Sequence, residues 1–314
     1  MNFYLTDRWQ TMDKKEPSRI LIFGKNGQVG YELCRTLSTL GEIRAIDVDE
    51  CDLTDKNSIL ENLNGYRPTI ITNAAAYTAV DKAESERELA FKLNAEAPSI
   101  MADWAKKNHA LMIHYSTDYV FDGTKKEPWT EEDKPNPLNV YGESKLAGDI
   151  NIQDSGCDHF IFRTSWVYGA RGKNFYLTMR RLLQEKDEIK VVNDQYGAPT
   201  WCRTIAEVTG QVLSQVKNPI CRVDMQKISG VYNLTNSEIT TWYGFTEAIK
   251  QYMANMNKAG THYAVLYPII SDQYKTAAKR PMNSSLALNK IYSSFALMPA
   301  SWEYALSKVC AGGI

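Results

Sequence analysis

A tyrosine and a lysine four residues apart, Tyr141 and Lys145, are the residues whose types and spacing most directly suggest catalysis. They belong to the helix-compatible run Tyr-Gly-Glu-Ser-Lys-Leu-Ala-Gly-Asp, where residues four apart share one face with roughly 5–6 Å between their Cβ atoms. A phenol titrates near about 10, and an adjacent ammonium favours the phenolate and lowers the pKa of the tyrosine. The pair therefore predicts an acid–base tyrosine, although the same spacing also occurs where two exposed side chains merely touch.

A threonine at the end of a predicted strand is a second candidate for the same site. Thr117 follows the apolar residues 110–115, and its hydroxyl could bond the oxygen that Tyr141 serves. Asp118 comes next, so both side chains are expected at the edge of the sheet where open α/β proteins bind their ligands.

A glycine-rich turn follows the first predicted strand, residues 19–24. It reads Gly24-Lys-Asn-Gly27-Gln-Val-Gly30 and leads into a run with helical periodicity. Strand, glycine turn and helix in this order predict a diphosphate site, because glycine permits a tight turn and the helix N-terminus attracts anions. The spacing is G-x-x-G-x-x-G, which differs from the G-x-G-x-x-G of simple dehydrogenases.

Two acidic residues after the second predicted strand, residues 42–47, are candidates for binding the adenosine part of a dinucleotide. Asp47 lies about 20 residues beyond the glycine turn, where an acid bonds a ribose hydroxyl, but a surface turn residue fits the position equally well. Asp52 could bond an adenine amine or start the next helix, after a short strand within 51–55. Arg44 and Lys56 are near enough in sequence to leave NADPH open beside NADH.

Strands and helices alternate over about the first 150 residues, which predicts a doubly wound parallel sheet. Further strands are predicted at 68–73, 110–116 and 159–163, and a long helix at 86–107. Their carboxyl ends carry the small residues 74–76, Thr117 and Asp118, and residues 164–166. The glycine turn and the Tyr141–Lys145 pair thus meet at one sheet edge, which strengthens both interpretations.

The composition is that of an ordinary globular protein. The 314 residues are 44% hydrophobic and 23% charged, and the formal net charge of −1 disfavours a broad nucleic-acid surface. No apolar run approaches a membrane span, and the N-terminal residues lack the apolar core of a signal peptide. Six scattered cysteines favour a reduced, cytoplasmic protein with no metal cluster.

The motifs together resemble those of the extended short-chain dehydrogenase/reductase family, and within it the dTDP-4-dehydrorhamnose reductase group. The matching stretches are residues 23–30, 73–84, 114–121, 137–148, 162–168, 193–200 and 280–284. They cover the chain from about residue 19 to its end and leave residues 1–18 outside as an N-terminal extension.

The resemblance implies a role for each matched residue. Tyr141 would protonate O4 of the sugar, Thr117 would bond its carbonyl, and Lys145 would hold the nicotinamide ribose. Asp118 and Trp166 would face the sugar. The implied cofactor contacts are Gly24, Gly27, Gln28, Val29, Gly30, Asp47, Asp52, Leu53, Ala75, Ala76, Tyr77, Tyr115 and Lys145.

The implied reaction is reduction of the 4-keto group of dTDP-4-dehydro-L-rhamnose by NADPH or NADH. A homodimer and Mg²⁺ at a subunit contact are further implications, although no full ligand set can be mapped. Residues 19–165 would bind the dinucleotide, with a return helix near 204–214. Residues 166–314 would form an interleaved α/β substrate lobe, in which Arg203, Lys279 and Arg280 are candidate phosphate contacts or solvated surface cations.

Two other functions fit the same motifs. A non-catalytic regulatory subunit similar to the β subunit of methionine adenosyltransferase would share the fold. A nucleotide-sugar epimerase or dehydratase would keep its NAD bound through the cycle, and a dehydratase needs a carboxyl group beside the threonine, where Asp118 lies.

Overall fold

The structure is a computed structural model that describes residues 17–217, 224–256 and 261–312. The strands in these ranges are β1 (Ser18–Phe23), β2 (Gly41–Ile46), β3 (Ile70–Asn73), β4 (Leu111–Thr117), β5 (His159–Thr164), β6 (Val167–Tyr168), β7 (Glu188–Val192), β8 (Tyr196–Gly197), β9 (Thr200–Trp201), β10 (Gly230–Asn233), β11 (Thr240–Thr241) and β12 (Val265–Ile269). The α-helices are α1 (Gln28–Thr36), α2 (Lys56–Tyr66), α3 (Val80–Ala83), α4 (Arg87–Phe91), α5 (Ala97–Asn108), α6 (Val140–Ser155), α7 (Phe175–Glu185), α8 (Cys202–Lys217), α9 (Met225–Ile228), α10 (Trp242–Met256), α11 (Asn289–Phe295) and α12 (Trp302–Cys310).

Six of the strands form one parallel sheet in the order β2-β1-β3-β4-β5-β10. The chain adds strands to one side and then to the other, so the strand order reverses between β1 and β3. Loops that leave neighbouring strands on opposite faces open a crevice there, which is where open α/β sheets bind ligands. The predicted doubly wound parallel sheet is therefore confirmed.

Helices cover both faces of this sheet. The alternation within β1 sends Ile20 and Ile22 to one face and Leu21 and Phe23 to the other, and all four are buried. The first face packs against α1, α8 and α11, and the second against α2, α5 and α6. Because both faces are covered, the strands are apolar throughout, as is typical of parallel sheets.

A second core lies among α7, α10 and α12 and the short strands near them. It contains buried aromatic residues from each helix, among them Tyr176, Phe245 and Trp302. The strands β7 and β12 pair in parallel beside it. This core is the hydrophobic centre of the predicted substrate lobe.

Three segments differ from the sequence predictions. Residues 51–55 form a turn rather than a short strand, because the Asp52 carboxylate accepts hydrogen bonds from Thr54 and Asp55 caps α2. The predicted helix 86–107 is interrupted by a π-helical turn, Lys92–Glu96, between α4 and α5. The strand β10 falls within the predicted substrate lobe, residues 166–314, but it joins the central sheet rather than the second core.

The predicted N-terminal extension, residues 1–18, lies outside the described residues except for Pro17 and Ser18, and Ser18 already begins β1. Within the described ranges, no helix is both long and apolar enough to cross a bilayer.

Candidate active site

The glycine turn lies where the strand order reverses. Gly24 directly follows β1 with φ = 86°, and a Cβ at this position would come within 2.8 Å of the Ala75 nitrogen. A Cβ on Gly30 would lie only 1.9 Å from the Gly24 carbonyl oxygen. Glycine is therefore required at both positions, and it brings the N-terminus of α1 to the sheet edge, where its amides favour an anionic diphosphate.

A cavity of about 310 Å³ beside the turn brings six predicted cofactor residues together. These residues are Gly24, Asp47, Asp52, Leu53, Ala75 and Ala76. Leu89 of α4 and Leu93 of the π-helical turn complete an apolar wall, and the sequence analysis missed both. A narrow cavity with apolar walls and carboxylates at one end suits a flat base joined to a ribose.

Asp47 holds the glycine turn in place. Its Oδ2 accepts a hydrogen bond from the Asn26 amide at 2.8 Å, and its Oδ1 accepts one from the Val48 amide at 2.9 Å. The neighbouring Glu50 carboxylate accepts bonds from the Asp47 amide and from the Lys25 ammonium. Asp47, which lines the cavity, therefore lies beside a second carboxylate, Glu50, which already binds Lys25.

Three residues of the turn have other structural partners. The Gln28 Oε1 accepts a hydrogen bond from the Asn174 side chain at 2.8 Å, and Val29 packs against both hydrophobic cores. The Gly27 amide donates to the Gly24 carbonyl at 3.1 Å. Gln28 and Val29 would therefore contact a diphosphate through their backbone amides.

Tyr77 is tied to the helix that carries the Tyr141–Lys145 pair. Asn94 accepts a hydrogen bond from the Tyr77 amide at 2.8 Å, donates to the Tyr77 carbonyl, and donates to Ser144 of α6 at 3.0 Å. The Tyr77 hydroxyl donates to Glu86 at 2.6 Å, and this bond raises the pKa of Tyr77 to about 12. The π-helical turn gives Asn94 this bridging position.

Lys145 is buried at the sheet edge with 1% of its surface exposed. The helix α6 begins after Asn139, whose side chain accepts a hydrogen bond from the Gly142 amide. One turn further, the Lys145 Nζ donates to the Tyr115 carbonyl at 2.7 Å and lies 3.0 Å from the His114 Nε2. Burial lowers the pKa of Lys145 to about 8, and the charge of Asp149 only partly opposes this effect.

The expectation that Lys145 lowers the pKa of Tyr141 is wrong for this structure. Burial raises the pKa of Tyr141 to about 12, and a hydrogen bond with the Thr117 hydroxyl offsets only part of the rise. The Lys145 Nζ is directed instead at the Tyr115 carbonyl. Tyr141 therefore holds its proton at neutral pH and is suited to donate it.

Tyr115 lies mostly inside the first core rather than at the surface of the crevice. Its hydroxyl is 2.9 Å from the Thr209 hydroxyl of α8, its ring packs near Phe162, and 8% of the residue is exposed. Its carbonyl is the acceptor for Lys145. A contact between Tyr115 and a nicotinamide stays a prediction.

Thr117 and Asp118 form a buried polar pair next to Tyr141. The Thr117 hydroxyl lies 3.2 Å from the Asp118 Oδ1 and accepts a bond from the Tyr119 amide. Within the described residues, the Asp118 Oδ2 has no hydrogen-bond partner. Burial raises the pKa of Asp118 to about 7, with hydrogen bonds from Ser284 and Thr117 opposing the rise.

Trp166 stacks on Trp242, a residue that lines a second cavity. The two indoles have a centroid separation of 3.5 Å and an interplanar angle of 12°, and Trp166 has the unusual φ of 47°. Trp242 also lines a cavity of about 300 Å³ with Phe175, Tyr274 and Arg280. A partly aromatic cavity with a guanidinium in its wall suits a nucleotide.

Of the three cations proposed for phosphate binding, Arg280 lines this cavity, and it also donates to both oxygens of Asp81. Arg203 is instead bound at 3.1 Å to Glu32, a buried residue of α1. The Lys279 carbonyl accepts a bond from Asn139, so this segment adjoins the start of α6.

The structure gives no support to the Mg²⁺ site that the resemblance implies at a subunit contact. In the part of the chain that the structure describes, no group of three or more histidine, cysteine, aspartate and glutamate side chains is placed to hold a metal.

A glycine turn at the reversal point of a parallel sheet is typical of dinucleotide-binding oxidoreductases. The tyrosine and lysine of α6 at the same edge place the chain in the extended short-chain dehydrogenase/reductase class. Residues 18–312 match the family model described as "RmlD substrate binding domain", and the chain belongs to this family.

Named relatives agree with this family. A dTDP-4-dehydrorhamnose reductase of Burkholderia thailandensis is 42% identical over 289 residues, which span 92% of this chain and 96% of that protein. The dTDP-4-dehydrorhamnose reductase of Escherichia coli is 43% identical over 298 residues, with the same coverage. The crystal structure of dTDP-4-dehydrorhamnose reductase from Bacillus anthracis in complex with NADP is 33% identical, with a TM-score of 0.85 over 94% of this chain and 99% of that chain.

Proposed function

We propose that the protein reduces the 4-keto group of dTDP-4-dehydro-L-rhamnose to give dTDP-L-rhamnose, with NADPH or NADH as reductant. The observation that carries the proposal is the hydrogen-bonded pair of Tyr141 and Thr117 at the sheet edge that also holds the glycine turn. The identity of the substrate in this proposal is taken from the names of the similar reductases.

Tyr141 is the proton donor in this proposal. The nicotinamide cofactor, when bound, supplies the hydride that adds to C4 of the sugar. Tyr141 delivers a proton to the oxygen on C4, and it is protonated at neutral pH because burial raises its pKa to about 12. The Thr117 hydroxyl bonds the same oxygen. One hydride on carbon and one proton on oxygen complete the reduction of the ketone to the alcohol.

The residues of the first cavity would hold the cofactor. The diphosphate would lie on the amides of Gly27, Gln28 and Val29, and the adenosine in the cavity lined by Asp47, Asp52, Leu53, Ala75 and Ala76. Lys145 would bond the nicotinamide ribose, beside Tyr77 and Tyr115.

We propose NADH as the preferred cofactor. Asp47 lines the cavity, the Glu50 carboxylate accepts a hydrogen bond from the Asp47 amide, and these two negative charges disfavour a 2′-phosphate beside them. Lys25 is bound by Glu50. The sequence left Arg44 as a possible partner of the 2′-phosphate of NADPH, but in the structure its guanidinium donates a hydrogen bond to Asn62 at 3.2 Å.

The second cavity would bind the thymidine diphosphate of the substrate. Trp242 and Tyr274 offer aromatic faces to the base, and Arg280 offers a charge to the diphosphate. Asp118 and Trp166 would face the sugar between this cavity and Tyr141. The carbonyl of Lys279 bonds Asn139, which supports this order of subsites along the crevice.

The remaining assignments follow from the same proposal. Residues 1–18 would be an extension, 19–165 the cofactor domain with α8 as its return helix, and 166–314 the interleaved substrate lobe. Because β10 pairs with β5, the interleaving also returns residues 230–233 to the cofactor sheet. A cytoplasmic homodimer without membrane or nucleic-acid partners is the expected form.

Oxidation of reduced cofactor, followed at 340 nm with enzymatically generated dTDP-4-dehydro-L-rhamnose, tests the proposal. Tyr141→Phe should lower turnover on the order of 10²–10⁴-fold, the range for a positioned acid, while cofactor affinity is retained. Tyr304→Phe, at an exposed position of α12, is the matched control and should keep full activity. Full activity of Tyr141→Phe would refute the mechanism.

Two other outcomes would identify the alternatives. Stoichiometric loss of cofactor absorbance supports the reductase, whereas turnover of a keto sugar with no net loss would indicate a dehydratase or epimerase. The Asp118 carboxyl, whose Oδ2 has no partner among the described residues and whose pKa burial raises to about 7, is the observation that favours a dehydratase. Binding of cofactor without any turnover would favour the regulatory subunit.

A further inference from the structure

A chain of buried polar groups connects the cofactor-lining backbone to Lys145. The Ala75 amide donates to the Asn73 Oδ1 at 3.2 Å, and the Asn73 Nδ2 lies 3.2 Å from the His114 Nδ1. The His114 Nε2 lies 3.0 Å from the Lys145 Nζ. Asn73 and Lys145 are each 1% exposed and His114 is fully buried, so water does not compete for these bonds.

The direction of these hydrogen bonds is fixed at the backbone end. A backbone N–H can only donate, so the Asn73 oxygen faces Ala75 and its amino group faces His114. The amino group must then donate to the His114 Nδ1, which therefore carries no proton. A neutral imidazole has a single N–H, so the proton is on Nε2 and points at the Lys145 Nζ. Nζ can accept it only as a neutral amine, because an ammonium has no lone pair.

A charged Lys145 requires a different arrangement of the whole chain. The ammonium would donate to the His114 Nε2, which moves the imidazole proton to Nδ1. The Asn73 amide would then have to turn over, which breaks its bond from Ala75 and sets two donors against each other. A doubly protonated imidazole does not relieve the conflict, since burial and the neighbouring Lys145 and His159 hold the pKa of His114 well below its usual value.

We propose that His114 is a positioning residue for Lys145, and that with Asn73 it couples the charge of the lysine to the imidazole tautomer and to the hydrogen bond at Ala75. Because Ala75 lines the cofactor cavity, protonation of the lysine and the cofactor-lining backbone are linked through three side chains. The importance of Lys145 rests on the proposed function, but the network is a property of the protein without cofactor or substrate.

The other charged groups around Lys145 do not remove this coupling. Asp149 lies one turn along α6 and favours the ammonium, but it is 3.4 Å from the Arg163 Nε of β5 and accepts a bond from Ser116. Tyr141 lies one turn back on α6 and is uncharged near neutral pH. With its charge shared in this way, Asp149 does not outweigh burial, so the lysine titrates within an accessible range of pH.

Nitrogen NMR of the imidazole groups in the ligand-free protein tests the proposal directly. The chain has four histidines, and loss of one signal set in His114→Gln would assign the residue. From about pH 6 to about pH 10, the Nε2–H tautomer should dominate above the pKa of Lys145 and decline below it. Lys145→Met is the matched control, and it should show the Nε2–H tautomer at every pH, because Asn73 still donates to Nδ1.

Asn73→Asp hardly changes the size of the side chain, but it should reverse the direction of the hydrogen bond between residue 73 and the His114 Nδ1. The carboxylate still accepts the Ala75 bond, but it also accepts a proton from Nδ1, so the Nδ1–H tautomer should be present at every pH. The midpoint for Lys145, read from the pH dependence of turnover, should rise by about 1–3 units. A rise that persists in Asn73→Asp/His114→Gln would mean that charge acts on the lysine without the imidazole, and it would overturn the proposal.

The NMR measurement of the His114 tautomer offers a second way to refute the proposal. An Nδ1–H tautomer in the wild-type protein near pH 10, or an unchanged Nε2–H tautomer in Asn73→Asp, would overturn the coupling. Since these signals are measured without cofactor or substrate, a failed reductase assignment would leave their interpretation intact.

Discussion

Replacing Lys145 by methionine should stabilise the protein at neutral pH while it removes a residue assigned to the cofactor site. The side chain is buried, and burial lowers its pKa from 10.5 to about 8. This lowering of the pKa corresponds to about 3 kcal/mol, at about 1.4 kcal/mol per tenfold change in proton affinity. The folded state carries this cost wherever the lysine of the unfolded chain is charged, as is usual for functional sites that reduce stability.

The sign of the pH dependence follows from linkage. Because the folded-state pKa of Lys145 is the lower one, the unfolded chain binds more protons between about pH 8 and about pH 10.5. The free energy of unfolding therefore rises through that interval. The cost is fully present below about pH 8 and is relieved above about pH 10.5, whereas methionine has no such titration.

The net gain is smaller than the whole cost. Methionine leaves the Tyr115 carbonyl and the His114 imidazole without the Nζ, and each lost partner subtracts on the order of 0.5–1.5 kcal/mol. About 1 kcal/mol should remain at pH 7. With an unfolding entropy of about 2.1 cal/mol/K per residue over 314 residues, this gain raises Tm by about 1.5 °C.

Calorimetric unfolding at about pH 7 and about pH 10.5 separates the cost of burying the Lys145 charge from the loss of its hydrogen bonds. Lys145→Met should exceed the wild type at the lower pH and fall below it at the higher pH, where only the lost hydrogen bonds count. Lys107→Met, at an exposed position of α5, is the matched control and should change the free energy of unfolding by less than about 0.5 kcal/mol at either pH. A Lys145→Met variant that is equally destabilised at both pH values would refute the assignment of the low pKa to burial of charge.

Three further perturbations test the cofactor and substrate subsites. Gly30→Ala places a Cβ 1.9 Å from the first carbonyl of the glycine turn and should weaken NADH binding at least about tenfold by fluorescence titration, whereas Gly65→Ala, with no atom within 4 Å, should leave it unchanged. Glu50→Gln frees Lys25 to bind a 2′-phosphate, so the ratio of kcat/KM for NADPH to kcat/KM for NADH should rise several-fold. An unchanged ratio would contradict the proposal that Glu50 and Lys25 lie beside the 2′ position of the cofactor ribose. Trp242→Ala should raise KM for the sugar nucleotide by about tenfold with unchanged cofactor affinity, and an equal loss of both affinities would place the indole outside the substrate cavity.

The sheet edge could be predicted from sequence because it depends on strand order and on backbone geometry. In a parallel sheet all carboxyl ends share one edge, so Gly24, Thr117 and the segment 74–76 had to meet once their strands were identified. The close approach of Gly24 to Ala75 is the physical reason for glycine at that position.

What escaped prediction depends on burial and on contacts between distant parts of the chain. Leu89 and Leu93 have the spacing of an ordinary helix face, and sequence does not show that this face borders a cavity. The spacing of Tyr141 and Lys145 predicted a lowered tyrosine pKa, but the sequence carries no information on desolvation, which dominates and raises it. The contact of His114 with Lys145 joins residues 31 positions apart, and nothing in strand periodicity distinguishes that histidine from a core residue.

The protonation states of the titratable groups in this site depend on burial more than on charge pairing. Burial raises the pKa of Asp118 to about 7 and lowers that of Lys145 to about 8, so both groups titrate close to neutrality within one solvent-excluded cluster. Tyr141, between them, stays protonated because the same burial raises its pKa to about 12. A ligand that bonds Lys145 or Asp118 must therefore shift a proton equilibrium as it binds, since bonding to the charged form favours that form. Binding of cofactor and sugar should accordingly take up or release protons near neutral pH, while the proton that completes the reduction remains on the tyrosine.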